Sequence, residues 1–174
     1  MKLKNFTPAP LSEADTPTAD CVLIYADGAC KGNPGPGGWA ATIRVYADGK
    51  LTRSAAYVGG DDDTTNNRME IIAVLEAIRK TAEGTERPVI VRTDSNVLVQ
   101  SANQWLPGWI AKGWKKADGK PVANADLLQE LAAVMATRKV IFEHVRGHAR
   151  NAGNDEADKL ASNEGAKRVK RLVA

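Results

Sequence analysis

The stretch LIYADGACKGNPGPGGW, residues 23–39, predicts the central strand of the fold and places a carboxylate at its end. Its first part is a continuous apolar run, which is typical of a buried strand. Asp27 follows that run, and a loop rich in glycine and proline comes directly after it. A carboxylate at the border of an apolar layer needs a cation, hydrogen-bond donors or a metal ion as its partner. Glycine allows the loop backbone to approach a ligand closely.

Length, charge and cysteine content limit the class of protein. The chain has 174 residues, which is enough for one domain with a real core. Its 24 basic and 21 acidic residues give a net charge of +3, too small to indicate a polyanionic partner by itself. The basic run at 167–171 fits either a solvated helix end or a phosphate contact. Two cysteines, no membrane-spanning apolar run and no secretory leader favour the reducing cytoplasm.

The order of predicted elements is three strands, a helix, a strand, a helix, an irregular segment, a helix, a strand and a helix. This order predicts a mixed sheet with helices packed on its faces. Residues 1 to about 20 carry three prolines and few large apolar groups, so we expect a flexible tail outside the fold. Strands are predicted at 21–26, 38–46, 51–58, 87–94 and 139–145. The first helix is predicted after the cap candidates at 64–67, and the second from Ser95 towards Trp105. Two more are predicted from Asn124 or Asp126 to 138 and at 155–169.

Four carboxylates are candidates for one site. Asp27 and Asp94 each follow an apolar strand, and ligands of open α/β sheets gather beyond the carboxyl ends of the strands. Glu70 and Asp158 lie early in two predicted helices that can lean over the same edge. Oxygen-rich clusters select Mg²⁺ or Mn²⁺, and two such ions activate water and steady the leaving oxygen in phosphodiester hydrolysis. The alternative is that each acid is a helix cap or a surface group, and spacing alone leaves both open.

Four ordered motifs resemble ribonuclease HI, the bacterial type 1 ribonuclease H family. The resemblance implies an α/β fold of the ribonuclease H type, with a five-stranded mixed sheet flanked by helices. In that sheet the first three strands are antiparallel, and the first, fourth and fifth are parallel. The motifs are YADGACKGNPGPGGW at 25–39, TTNNRME at 64–70, TDS at 93–95, and VRGHA with NDEAD at 145–149 and 154–158.

The same resemblance implies a domain organisation. Residues 21–170 are expected to form the catalytic domain, after a tail at 1–20 and before a short tail at 171–174. Residues at about 105–123 are similar to the basic handle of bacterial members. Where well-known members carry three successive basic residues after a tryptophan, this chain has Ile110-Ala111-Lys112 after Trp109.

The resemblance also implies an activity. The family cleaves the RNA strand of an RNA/DNA hybrid and leaves 5′-phosphate and 3′-hydroxyl ends. On the family pattern, Asp27 bridges two Mg²⁺ ions, Glu70 and Asp94 hold one of them, and Asp158 completes the other. Mn²⁺ is the expected substitute. The expected partner is the hybrid duplex, with no membrane, and the chain is expected to be a monomer.

The two histidines receive different expectations. His148 is carried over from the family as an aid to proton transfer or product release. A group with a near-neutral pKa on a loop suits that task. His144 has no such motif and lies within a predicted strand, so we expect a structural role for it.

Substrate contacts are likewise implied by the resemblance. The 2′-hydroxyl distinguishes RNA from DNA and is presented in the wide minor groove. Asn96 stands where many relatives carry glutamine, so the amide is kept but its reach is shorter. For Trp109 and Trp114, packing of the handle on the helices is an equal alternative. The implied contacts are Cys30, Asn33, Asn66 and Asn67 in the minor groove, Thr65 and Asn124 at a DNA phosphate, Trp105 at a DNA sugar, and Asn96, Trp109, Lys112 and Trp114.

Three other functions fit the sequence less well than a ribonuclease does. Another nuclease of the same fold, such as a junction resolvase or an integrase core, has no use for the handle or for the asparagine pair before Glu70. A catalytically inactive hybrid-binding module would not need all four carboxylates and His148. A Mg²⁺-dependent phosphatase for small molecules would not need the groove-lining amides and tryptophans.

Overall fold

The computed structural model describes residues 1–146 and 151–173. Its five strands lie in the order β3-β2-β1-β4-β5, and β1 to β3 form an antiparallel meander. Strands β4 and β5 continue the sheet parallel to β1, so the predicted mixed sheet is confirmed. The strands are β1 (Cys21–Cys30), β2 (Gly35–Ala47), β3 (Lys50–Thr64), β4 (Val89–Thr93) and β5 (Val140–His144).

The helices cover both faces of this sheet. Helix α1 packs on β1 and on α4, whereas α5 packs on β1, β2 and β3 from the other side. In the described part of the chain, no helix is long and apolar enough to span a bilayer. The helices are α1 (Asn66–Arg79), α2 (Asn96–Gln100), α3 (Leu106–Ala111), α4 (Ala125–Met135) and α5 (Ala152–Leu172), with a π-helical turn (Ser101–Trp105) between α2 and α3.

Strand β1 is buried on both faces, which explains its continuous apolar sequence. Side chains alternate along a strand, so Ile24 and Ala26 face the core under α1. Leu23 and Tyr25 face the opposite layer, where Ala157 of α5 packs against them. The strand that precedes Asp27 therefore has no solvent-facing side.

Several boundaries differ from the sequence prediction. Strand β3 continues to Thr64, beyond the predicted end at 58. Strand β1 continues through Asp27 to Cys30, because residues 27–30 pair with residues 37–40 of β2. The helix predicted from Ser95 to Trp105 is divided by the π-helical turn, and α3 lies in the segment predicted to be irregular. Helix α5 begins before 155, because the Asn151 side chain accepts a hydrogen bond from the Asn154 N–H.

Residues 1–20 do not form the flexible tail that composition predicted, because the segment packs on the domain. The Leu3 N–H donates to the carbonyl of Ala56 in β3 over 2.8 Å. Leu11 packs against the layer that contains Leu23 and Tyr25. The segment has few apolar residues, and its contacts are mostly main-chain hydrogen bonds that leave no periodic pattern in the sequence. Composition therefore indicated a tail where the structure has a packed segment.

The packing of α4 on α1 predicts the cost of a core truncation. Leu131 in α4 is fully buried, so Leu131→Ala leaves a cavity and is expected to lower the free energy of unfolding by about 2–5 kcal/mol. Urea unfolding followed by circular dichroism measures the change. The exposed Gln129 of the same helix gives the control Gln129→Ala, expected within about 0.5 kcal/mol of the wild type. Equal midpoints for both variants would contradict the packing described.

Candidate active site

Strand register brings two of the predicted carboxylates to the same level. In the parallel pair of β1 and β4, Tyr25 lies opposite Arg92, and this is the last pair in the register. Asp27 and Asp94 each lie two residues beyond it. The two side chains are close enough for the charge of Asp94 to raise the pKa of Asp27. The predicted meeting of these two acids at one end of the sheet agrees with this geometry.

Glu70 reaches the site because Gly28 has no side chain. A Cβ on Gly28 would lie 2.4 Å from the Glu70 nitrogen and 2.6 Å from the Met69 carbonyl carbon. The glycine after Asp27 therefore lets the first turn of α1 lie directly against β1. The Glu70 carboxylate accepts hydrogen bonds from the Asn66 amide, over 2.8 Å, and from the Ser95 hydroxyl. These two donors fix its orientation.

Helix α5 brings the fourth carboxylate. Asn154, one turn before Asp158, is buried, and its amide donates to the Asp94 carboxylate over 3.4 Å. The Ser162 hydroxyl donates to Asp158 over 3.3 Å. The charge of Asp158 also raises the pKa of Asp27. Residues from β1, from α1, from the segment directly after β4 and from α5 thus act on the carboxyl of Asp27.

Asp27 is the most important residue for the electrostatics of the site. It is only 7% exposed. Burial is the main cause that raises its pKa, to about 7, and the neighbouring Asp94 adds to the increase. The Gly28 N–H donates to Asp27 over 2.7 Å and acts in the opposite direction. Burial also raises the pKa of Glu70, against the effect of the Ser95 hydrogen bond. A bound cation would stabilise both carboxylates and so act against both pKa increases.

The four carboxylates have the chemistry that a hard cation requires. Within residues 1–146 and 151–173, no group of three or more His, Cys, Asp or Glu side chains has the geometry of a metal site. The four acids offer only carboxylate oxygens, which are the ligands that Mg²⁺ prefers. The chemistry of the donor set therefore fits a divalent metal ion.

Of the two histidines, only His144 lies within the residues that the structure describes. His148 lies outside the described residues, so its expected catalytic role stays a prediction. His144, at the end of β5, shares a 3.2 Å hydrogen bond between its ring and the main-chain carbonyl of Asp94. This contact agrees with the structural role expected for His144, because it ties the end of β5 to the end of β4.

A cavity of about 170 Å³ adjoins the carboxylates and gathers several predicted substrate contacts. The Trp105 and Trp109 rings lie 5.5 Å apart at its edge. Ser95 and Lys116 contribute polar groups to the same wall. The predicted residues that line it are Asn67, Glu70, Trp105, Trp109 and Asn124.

Three other predicted contacts hold the loops beside this cavity. The Asn33 side chain accepts from the Asn66 N–H over 3.1 Å, and this links the glycine-rich loop to α1. Thr65 is the N-cap of α1 and accepts from the Arg68 N–H. The Cys30 thiol donates to the carbonyls of Gly35 and Thr64, each over 3.4 Å.

Of the other predicted contacts, Asn96, Lys112 and Trp114 lie outside the cavity, whereas Trp109 and Asn124, which line it, also make contacts elsewhere. Asn96 and Lys112 are exposed and do not line it. Trp109 and Trp114 are half-buried and pack against the main core, which supports the packing alternative for both. Asn124 is the N-cap of α4 by position, with a left-handed φ of 54°, but its side chain makes no capping hydrogen bond. Instead its side-chain oxygen accepts from Arg68 over 3.4 Å.

Three residues that position the site were missed by the sequence analysis. Ser95 was interpreted only as a helix cap, yet it makes no capping bond and donates to Glu70 instead. Asn154 holds Asp94, and its only signal was its place in the motif that ends at Asp158. Arg68 is oriented by two hydrogen bonds to Asp126 and adds a positive charge beside Asn124.

Comparison with known sequences gives one family. A family model described as RNase H matches residues 19–166, which is most of the chain. The ribonuclease H of Cupriavidus necator is 49% identical over 143 residues, which make up 81% of this chain and 92% of that protein.

Solved structures give the same result. LC9-RNase H1, described as a type 1 RNase H with the type 2 active-site motif, is 32% identical with a TM-score of 0.74; the match covers 86% of this chain and 74% of that one. LC11-RNase H1, solved in complex with RNA/DNA hybrid, is 24% identical with a TM-score of 0.62, over 85% of this chain and 99% of that one. The second likeness concerns the fold.

The pKa of Asp27 predicts an effect on stability. A folded-state pKa of about 7, above the ordinary 3.8, means that the folded protein holds a proton that the unfolded chain releases. The free energy of unfolding therefore falls as the pH rises from about 4 to about 7. Asp27→Asn keeps the acceptor for Gly28 and removes this loss. At pH 8 in EDTA we expect its melting temperature to exceed that of the wild type by at least about 3 °C.

Calorimetric scans from pH 4 to pH 8 test this expectation, because the difference between the two proteins should shrink towards pH 4. Adding Mg²⁺ at pH 8 should also shrink it. A variant that is less stable than the wild type at pH 8, or a difference that does not depend on pH, would contradict the electrostatic account.

The close approach at Gly28 gives a second prediction. Gly28→Ala places a Cβ against main-chain atoms of α1, which cannot move without displacing the helix. We expect a free energy of unfolding lower by about 1–3 kcal/mol in urea titrations. Gly108→Ala is the control, since a Cβ there meets no atom within 4 Å and alanine favours the helix. Equal losses in both variants would refute a role for the close approach.

Proposed function

Since the chain belongs to the ribonuclease H family, whose members hydrolyse the RNA strand of RNA/DNA hybrids with the help of metal ions, we propose that Asp27, Glu70, Asp94 and Asp158 form its catalytic centre. The chain is an endonuclease of this type. The observation that supports the residue assignment best is the pKa of Asp27, which is raised by burial and, in addition, by the charges of Asp94, Asp158 and Glu70. An arrangement that costs stability and serves no packing purpose is typical of a functional site.

The metal ions are proposed to be two Mg²⁺. Asp27 would bridge both, Glu70 and Asp94 would hold one, and Asp158 would complete the other. When bound, two such ions activate the attacking water and stabilise the leaving oxygen of the phosphodiester. Mn²⁺ offers similar chemistry to an oxygen-only donor set and is the proposed substitute.

The polar side chains around the acids orient the carboxylate groups of Glu70 and Asp94. Ser95 and Asn66 hold the two oxygens of Glu70, and Asn154 holds one oxygen of Asp94. Fixed carboxylates lose less entropy when they receive their ligands, and small displacements at such sites reduce rates strongly. His148 is proposed to assist proton transfer or product release. The products would carry 5′-phosphate and 3′-hydroxyl ends.

Selection of the hybrid is proposed to rest on two surfaces beside the acids. Amides at Asn33, Asn66 and Asn67 would contact the minor groove, where a 2′-hydroxyl both donates and accepts. The cavity with Trp105, Trp109 and Asn124 would receive the DNA strand, since tryptophan rings stack on sugars or bases and amides bind phosphate. Arg68 lies beside Asn124 in an ion pair with Asp126, and it would offer guanidinium N–H donors to a phosphate. The monomeric state and the cytoplasmic location stay predictions of the sequence.

A cleavage assay tests this assignment. Labelled RNA/DNA hybrid, duplex DNA and duplex RNA are incubated with the protein, with and without Mg²⁺. We expect cleavage of the RNA strand of the hybrid alone, and only with the metal ion. Asp27→Asn and Asp158→Asn are each expected to lower the rate by about 100-fold or more, which corresponds to about 2.7 kcal/mol of transition-state stabilisation.

Asp155→Asn is the matched control, because Asp155 is an exposed acid on α5, three residues before Asp158. It should keep nearly the full rate. Cleavage of both strands, or of none, would refute the ribonuclease assignment, and full activity of Asp158→Asn would remove that residue from the chemistry.

A further inference from the structure

The family match begins at residue 19, yet residues 1–18 are packed on the domain. We refer to residues 1–18 as the N-terminal strap. Its start is bound to an edge of the sheet, where the Val58 N–H of β3 donates to the Met1 carbonyl over 2.9 Å and Lys2 pairs with Tyr57. From there the strap runs to the first turns of α5. Two of its residues, Ala9 and Asp15, make the contacts that matter there.

Ala9 closes a buried ion pair. The Ala9 N–H donates to Glu156 of α5 over 2.7 Å, and the Ala9 carbonyl accepts from Arg44 of β2 over 2.7 Å. Arg44 and Glu156 form an ion pair of 2.8 Å, and Arg44 is only 1% exposed. Hydrogen-bond partners for the remaining donors and acceptors offset part of the cost of burying an ion pair. The main chain of the strap supplies one donor and one acceptor to this pair.

Asp15 binds the start of α5. Its carboxylate accepts from the Asn151 amide over 3.1 Å, and its carbonyl accepts from Arg92 of β4 over 2.6 Å. Asn151 is the N-cap of α5, and its side-chain oxygen accepts from the Asn154 N–H over 3.2 Å. A side chain bonded at both its nitrogen and its oxygen has one orientation. Asp15 therefore fixes the cap on which the first turn of α5 depends.

The first turn of α5 in turn carries groups of the catalytic centre. Asn154 donates to Asp94, and Asp158 follows one turn later on the same side of the helix. Between these and the strap, Gly153 lies on Tyr25 so closely that a Cβ would come within 2.3 Å of the ring. The start of α5 thus contacts the Tyr25 ring through Gly153 and the strap through Asn151.

We propose that the strap is a positioning element of the active site, and that Asp15 is a positioning residue. Through Asn151, Asp15 holds the first turns of α5, and these set where Asn154 meets Asp94 and where Asp158 projects. The inference rests on the catalytic roles proposed for Asp94 and Asp158. Asp15 lies outside the family match at 19–166, so the proposal assigns a role in catalysis to a residue that the family model does not include.

Three variants test the proposal in the full-length protein. Asp15→Ala removes the acceptor for Asn151, whereas Asp15→Asn keeps a side-chain oxygen that can accept the same bond. Glu13→Ala removes an exposed charge of the same segment and is the control. The first measurement is hydrogen exchange of the amides of residues 152–158 in metal-free protein. The second is hybrid cleavage, with kcat, KM and the Mg²⁺ concentration for half-maximal rate.

In Asp15→Ala we expect exchange at 152–158 to be about three- to tenfold faster, as for the loss of one hydrogen bond, while exchange in β1 and β2 stays unchanged. We expect kcat to fall by about three- to tenfold with unchanged KM, and the required Mg²⁺ concentration to rise. Asp15→Asn and Glu13→Ala should both resemble the wild type.

The proposal is overturned if exchange in α5 is unchanged, or if it increases equally in β1 and β2, because the strap would then only stabilise the domain. Faster exchange in α5 with unchanged kcat would overturn the positioning role. If the wild type and Glu13→Ala failed to cleave the hybrid, the proposed function would fall, while the exchange data would still decide whether the strap holds α5.

Discussion

Burial of the Asp27 carboxyl beside other acidic side chains is the constraint around which this end of the molecule is built. The central strand brings Asp27 into a layer closed on both sides by apolar residues, and the parallel register adds Asp94 at the same level. Burial and like charge both favour the protonated form, so the free protein bears an energetic cost at neutral pH. The remaining core must stabilise the fold against that cost. Such a conflict between stability and function is common at sites that bind cations.

The neighbours of the acids limit the freedom of their side chains without neutralising them. Asn66, Ser95 and Asn154 each donate a hydrogen bond to a carboxylate, and none of them carries a positive charge. A basic residue in their place would lower the pKa of the acids and would compete with a metal ion. Amides and hydroxyls orient the oxygens while the negative charge stays available. The site is therefore ordered and still attractive to a cation.

The opposite face of the sheet shows a second polar layer with a different purpose. Arg44 and Arg92 lie over the Tyr25 ring, and the N-terminal strap supplies hydrogen-bond partners to both of them and to Glu156. This layer has no direct contact with the hybrid in the function proposed. Its link to the chemistry is α5, whose first turn lies between the strap and the carboxylates. Residues 1–18 are therefore packed as part of the folded domain, although the family match does not include them.

Local pattern was sufficient for most of the fold and for the identity of the acids. An unbroken apolar run predicts a strand buried on both faces, and the motifs around Asp27, Glu70, Asp94 and Asp158 carry their own signals within a few residues. The sequence by itself determined the five strands, their order in the chain and the four candidate carboxylates. It did not predict the continuation of β1 through Asp27, because that depends on pairing with β2.

Tertiary structure alone decided what joins residues far apart in the chain. Asp15 and Asn151 are separated by 136 positions, and Arg44 and Glu156 by 112. Ser95 has the local signal of a helix cap, yet its hydroxyl donates to Glu70, which lies 25 residues away. Hydrogen bonds of this kind leave no periodicity and need no particular neighbours in sequence. They form only when the packed strands and helices have already brought donor and acceptor together, which is why the strap and the orientation of the acids became visible only in the folded molecule.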